Sequence, residues 1–171
     1  MNKPIQQELA SVFENISVVV SEDNRMIVTV QKDQVMSILH FLKNKGFDHL
    51  ALVSCVDWIE EKEFEMVYIL TPYLREPDSD TDMKKLHITV KCRIRRKEPR
   101  VMTVIPIFDN AEPYEREIHE LFGVYFDGHP RLIPLFLEGK YETPPFRKDF
   151  DTREYVKEVY DTVPFVDDEK T

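Results

Sequence analysis

The chain's most chemically capable side chains lie close together: Glu112, Glu115, Glu117 and Glu120 alternate with Arg116 and His119 between positions 111 and 122. On a helix, residues three and four apart share a face, so this run presents carboxylates in pairs, as general acid–base catalysis requires. It also sets Glu and His within one turn, as metal sites do. Zincin-type sites place two His at i and i+4 around a Glu, and His119 has no second His within a turn. Serine-nucleophile motifs, P-loops and dinucleotide fingerprints are absent, and four glycines are too few for a phosphate cradle. The run reads as a helix face carrying i, i+4 pairs such as Glu112–Arg116, or as an interface. A stand-alone enzyme built on this Glu-rich helix is the competing reading from another class.

The remaining candidates for chemistry are sparse. Cys55 and Cys92 stand 37 positions apart, each in an apolar strand pattern. Iron–sulfur clusters ask for four thiolates and structural zinc for paired ligands, so two buried free thiols are expected and no cofactor in this chain. Asp78, Asp80 and Asp82 alternate in a polar loop but lack the central Gly and closing Glu of a calcium loop. Lys91, Arg93, Arg95, Arg96, Lys97 and Arg100 form one basic cluster in a chain of net charge -9. That balance argues against nucleic acid; the cluster reads as the solvent face of a strand and its turn, with a docking face for an acidic protein partner as the alternative. No apolar stretch approaches the roughly 20 residues of a membrane span, and no signal-peptide core follows Met1, so a cytosolic protein without direct membrane insertion is expected.

Periodicity supplies the elements that position these residues. Ile5, Leu9, Val12 and Phe13 recur at helical spacing. Residues 16–20 and 26–30 are β-rich runs around a polar turn, hence a hairpin. Asp33 is placed to cap a helix striped by Val35, Ile38, Leu39 and Leu42 and ended by Gly46. Residues 50–58 are apolar on both faces, as a central strand would be, and 63–70 form the next strand. Across 86–94, Leu86, Ile88, Val90, Cys92 and Ile94 alternate with polar residues, the pattern of a strand with one face on a core. Residues 101–107 read as a further strand ending at Pro106. Asn110 is placed to cap the Glu-rich helix, whose buried stripe is Tyr114, Ile118 and Leu121 and whose stop is Gly123.

The expected fold class is α+β: an antiparallel or mixed sheet with helices on one face over residues 1–123, then an extended tail, 124–171, rich in proline and aromatics. Disordered tails are depleted in aromatics, so rings such as Phe136, Phe146 and Phe150 predict a segment ordered by burial against a partner. A short helix is expected near 151–160 and a loose acidic end from Asp167. The expected interface residues are Glu115, Arg116 and Glu117 on the helix, His129 and Pro130 in a turn, and Phe136, Phe146, Arg147, Lys148, Asp149 and Phe150 in the tail. Charged hydrogen bonds from Arg147, Lys148 and Asp149 would set orientation.

Several of these segments, taken together, resemble one family. They are Tyr114-Glu115-Arg116-Glu117-Ile118-His119-Glu120-Leu121-Phe122-Gly123, Gly128-His129-Pro130, Pro145-Phe146-Arg147-Lys148-Asp149-Phe150, Val56-Asp57-Trp58 and Thr103-Val104-Ile105-Pro106. They are similar to the 30-kDa subunit family of respiratory complex I and its relatives, the membrane-bound [NiFe] hydrogenases. His119, Glu120 and the Arg131-Leu132-Ile133-Pro134 continuation depart from ordinary complex I members and are more similar to the archaeal hydrogenase and sulfur-reducing branch. The resemblance implies a cofactor-free scaffold in the peripheral arm of a membrane complex, on the cytoplasmic face of the membrane. Its implied partners are a [NiFe]-hydrogenase-like large subunit, an iron–sulfur small subunit and ion-pumping membrane subunits, with ferredoxin as electron donor. The partners, in that reading, carry the iron–sulfur clusters and the [NiFe] centre. The 30-kDa subunit of an NADH:quinone oxidoreductase is the alternative within the family.

Overall fold

The alternation of residues 86–94 becomes the organising strand. In a computed structural model describing residues 3–21, 24–73, 86–137 and 141–159, β5 (His87–Arg95) pairs antiparallel with β4 (Glu63–Thr71) and parallel with β2 (Arg25–Val30). β1 (Ser17–Ser21) closes the expected hairpin beside β2, and β3 (His49–Trp58) lies outside β4. The sheet is therefore mixed, in the order β1-β2-β5-β4-β3. The Asp-rich loop and the acidic end lie outside the described residues.

One face of the sheet is the core. Met26, Val28, Leu50, Val53, Met66, Tyr68, Ile88, Val90 and Cys92 are buried there together with Ile5 and Leu9 of α1 (Lys3–Val12) and Ile38, Leu39 and Leu42 of α2 (Val35–Asn44). Cys55 and Cys92 are buried free thiols, and burial pushes both up to about 12, which leaves them protonated and inert. On the opposite face, among the described residues, Glu65 alone is buried, beneath Lys91 and Arg93, each 3.0 Å away. The basic cluster is thus partly a set of ion pairs.

The structure alters several expectations. Val12 is exposed, one position past the covered side of α1. Asp33 caps nothing; a short 3-10 turn precedes α2, and the Gln34 side chain accepts the Gln31 N–H there. β3 is an edge strand rather than a central one. Its second apolar row, Leu52, Val56 and Trp58, faces the open side, and its outer carbonyls are covered by side chains: Asn110 Nδ2 donates to Leu50 O at 2.8 Å and Tyr114 Oη to Ala51 O at 3.2 Å. That contact also takes Asn110 away from helix capping.

The strand expected over 101–107 is only β6 (Arg100–Met102), outside the main sheet. It pairs in parallel with β7 (Tyr125–Asp127), and the connection between them is α3 (Ala111–Phe122). Parallel neighbours need such a crossover. Consequently the chain does not leave its core at Gly123: Val124 and Phe126 are buried in the same core as the sheet. Beyond them lie a turn at Gly128 and a short helix, α4 (Thr152–Val159), capped by Asp151. Among the described residues no helix is long and apolar enough to cross a membrane.

Candidate functional site around the last turns of α3

Helix α3 is the hub at which most of the expected interface residues meet, and the structure assigns them different roles. Glu115 faces inward and is fully buried. Its carboxyl accepts Thr103 Oγ1–H at 2.6 Å and Val104 N–H at 2.7 Å, so it pins the end of β6 to the helix that follows. Burial pushes its pKa up to about 7, against the opposing pull of those two hydrogen bonds.

The next residue, Arg116, and Glu120 one turn beyond it grip the chain that returns over the helix. Arg116 Nε donates to Ile133 O and Nη2 to Pro134 O, both at 3.0 Å, while Nη1 keeps the expected i, i+4 pair with Glu112 at 3.3 Å. Glu120 accepts the backbone N–H groups of Leu135, Phe136 and Leu137 at 3.1, 3.0 and 2.5 Å. Burial acts to raise the Glu120 pKa, but those N–H donors and the Arg116 charge outweigh it and hold the carboxyl below its ordinary range. Cation and anion thus staple residues 133–137 to α3 by main-chain atoms.

His129 closes the turn between Gly128 and Pro130. Its Nδ1 accepts Arg131 N–H at 3.0 Å, which leaves Nε2–H to donate to Glu112 O at 3.4 Å. His119 Nδ1 donates to Val124 O at 2.8 Å. Both imidazoles therefore hold backbone rather than standing free as acid or base.

The segment from 144 to 150 forms a strap over the C-terminal end of α3. Phe146 N–H donates to Leu121 O at 2.9 Å and Arg147 Nε–H to Phe122 O at 2.7 Å, placing a cation on the helix's unsatisfied, negative end. Gly123 makes room for this. Its φ is +74°, and a Cβ there would stand 2.8 Å from Arg147 Nη2 and 3.0 Å from the Pro144 ring. Lys148 N–H donates to Asp57 at 2.9 Å. Arg96 bridges the two anions of the latch, binding Asp57 through Nε at 2.9 Å and Nη2 at 3.2 Å, and Asp149 through Nη1 at 3.0 Å and through Nη2. Such a doubly bidentate guanidinium is geometrically selective. Phe150 packs with Tyr141 and Tyr155, ring centroids 6.2 and 5.6 Å away.

Other expected interface residues are left uncovered or unpaired. Phe136 is 68% exposed and Phe146 60%. Pro130 is exposed in its turn. Glu117 and the Lys148 ammonium pair with no described side chain. The sequence reading missed Asp57, Arg96, Glu120 and the close-approach role of Gly123. The legible signal for the first was an Asp inside the otherwise apolar run 50–58. Among the described residues no three His, Cys, Asp or Glu side chains converge as metal ligands would.

Known proteins share this arrangement of elements. Residues 28–156 match the family model described as the 30-kDa subunit of respiratory-chain NADH dehydrogenase. The chain is 34% identical over 129 residues to the C-type subunit of the F420H2 dehydrogenase of Methanosarcina mazei, covering 74% of this chain and 76% of that one. It is 34% identical over 147 residues to the C-type subunit of the NADH-quinone oxidoreductase of Moorella thermoacetica, covering 84% and 91%. In the C/D-type subunit of the NADH-quinone oxidoreductase of Blochmanniella pennsylvanica, 88% of this chain matches 26% of a longer chain, at 26% identity. Among solved structures, a chain of the membrane-bound sulfane sulfur reductase, an archaeal respiratory membrane complex, superposes with TM-score 0.78 at 29% identity, covering 99% of this chain and 97% of its own. The trypsin-resistant fragment 1–134 of Nqo5 shares the fold, with TM-score 0.64 at 23% identity over 76% of this chain and 98% of the fragment. With the family match spanning most of the chain and the same fold in a respiratory complex, this protein belongs to the 30-kDa subunit family of respiratory-chain NADH dehydrogenase.

Proposed function

We propose that this chain is a cofactor-free scaffold subunit in the peripheral arm of a complex I-related, membrane-bound oxidoreductase. In this reading the complex is a ferredoxin-dependent hydrogenase or a sulfur reductase coupled to ion pumping, and the chain sits on its cytoplasmic side. The chain's partners are a [NiFe]-hydrogenase-like large subunit of the D type, an iron–sulfur small subunit and the ion-pumping membrane subunits. The partners carry the iron–sulfur clusters and the [NiFe] centre. The observation that supports this reading most is the nearly full-length match to a chain of the sulfane sulfur reductase complex. The geometry agrees with a scaffold, because Glu115, Arg116 and Glu120 of α3 are bonded to the chain's own backbone, to Thr103 and to Glu112. The 34% identities to F420H2 dehydrogenase and NADH-quinone oxidoreductase subunits favour, as a second reading, a complex with another electron donor and a quinone-type acceptor.

The test is purification of the native complex through a tag on this chain, with metal analysis of the whole and of the chain expressed alone. The expected result is co-purification of iron–sulfur and large subunits, with all iron and nickel in them. Stoichiometric iron in the isolated chain, or a purified chain without redox companions, would overturn the proposal. Reduction of the purified complex by ferredoxin, compared with reduction by NADH or F420H2, separates the two readings.

A further inference from the structure

The two edges of the main sheet differ in how their outward backbone is covered. Along β3, the carbonyls of Leu50 and Ala51 are taken by the side chains of Asn110 and Tyr114. Along β1, at the other edge, no described residue hydrogen-bonds the outward backbone. Exposed edges are commonly blunted by a charge, a proline or a bulge. Ser17-Val18-Val19-Val20-Ser21 contains no charge and no proline, and its ladder with β2 runs without a break.

Both faces of β1 leave apolar surface open. Val18 and Val20 stand opposite Val28 and Met26, so they point to the face that the helices cover. Val20 is nevertheless 40% exposed, and Val18 lines an open cleft of about 520 Å³ with Gln6, Ala10, Phe13 and Ile16. Val19 stands opposite Ile27 on the helix-free face and is 55% exposed.

The order of residues in the strand decides what fits this edge. Ser-Val-Val-Val-Ser reads the same in both directions. A second copy laid antiparallel across a two-fold axis at Val19 therefore sets Ser17 against Ser21, Val18 against Val20 and Val19 against itself. Side chains directly opposed across an antiparallel pair share a face. Val20 of each copy thus comes beside Val18 of the other, at the mouth of the cleft between α1 and β1. Such a contact is self-complementary and closes at two subunits. No charge in the strand opposes it, although the chain as a whole carries -9.

We infer that β1 is a self-association edge: two copies of this chain pair antiparallel about Val19 and join their sheets into one, each Val20 seated at the other copy's cleft. Pairing of this kind joins two complexes through their copies of this chain, whichever electron donor they use.

Sedimentation equilibrium of the full-length chain over a concentration series tests this. The wild-type chain is expected to pass from monomer to dimer, with amide exchange at 17–21 slowed in the dimer. Val19→Lys and Val19→Glu each set two like charges directly opposite one another. Each is expected to weaken the dimer at least tenfold, with the melting temperature of the monomer unchanged because position 19 lies outside the core. An equimolar mixture of the two variants is expected to recover dimer, since a two-fold axis at Val19 sets position 19 against itself. A wild-type chain that stays monomeric throughout would overturn the proposal and leave the edge to a strand of another protein. Undiminished dimer in Val19→Lys would overturn it by placing the contact elsewhere. Loss in both variants without recovery in the mixture would overturn the antiparallel register about Val19.

Discussion

A carboxyl group buried away from water is easier to protonate than one in solvent, even where a hydroxyl and an amide donate to it. Glu115 is such a group: burial lifts its pKa from 4.5 to about 7. Because the folded value is the higher one, the folded state binds the proton more tightly than the unfolded chain. The linked stability is full below about pH 4.5 and declines as pH rises to about 7, by on the order of 3 kcal/mol in total. Glu115→Gln keeps an acceptor for Val104 N–H and removes the titration. Urea midpoints at pH 5 and pH 8 should therefore differ less in this variant than in the parent. Equal pH dependence in the two proteins would show that Glu115 does not titrate in this window. Glu120 works in the opposite direction: its depressed value stabilises the fold above the unfolded pKa, and that contribution is lost as acid protonates it.

At the scale of elements, the strap depends on a single backbone conformation. Gly123 ends α3 with a left-handed residue and leaves the space that Arg147 and Pro144 fill. Gly123→Ala combines an unfavourable φ with a contact that must push the guanidinium off Phe122 O. A loss of about 1–2 kcal/mol is expected, with faster hydrogen exchange confined to 141–159. Exchange unchanged in that segment would mean that the strap is held by Arg96 and Asp57 without the helix end. Arg147→Ala removes the cation from the same carbonyl, so it should loosen the strap in the isolated chain, before any partner is present.

For the whole molecule, the question is where the cooperative unit ends. Val124 and Phe126 belong to the core, and β7 pairs with β6, so a chain cut after Gly123 loses a fully buried ring and a strand. Removing a buried Phe typically costs about 3–5 kcal/mol, against a total of roughly 5–15 kcal/mol for a domain of this size. Residues 1–137 should therefore melt cooperatively by circular dichroism, and 1–123 should melt far lower or without a transition. Identical melting of the two fragments would place the end of the unit at Gly123.

Local physics in the sequence was sufficient for much of this. The 2.0 and 3.6 periods located β5, α2 and α3, because side-chain spacing is set by backbone geometry alone, and β-rich runs between turns located β2 and β4. The helix stop at Gly123 and the i, i+4 pair of Glu112 and Arg116 were legible for the same reason. Long-range pairing was not. Residues 50–58 are apolar on both faces whether the strand is central or at an edge, and only the fold decides that α3 covers that edge. The helix's charged residues look alike at the level of residue type. Glu115 is buried, Glu117 meets no described side chain, and Glu120 binds a loop fifteen residues downstream because the crossover between β6 and β7 sets the helix's rotation against the sheet. The Arg96 latch joins Asp57 to Asp149, 92 positions apart, and no local pattern in a single sequence encodes such a meeting.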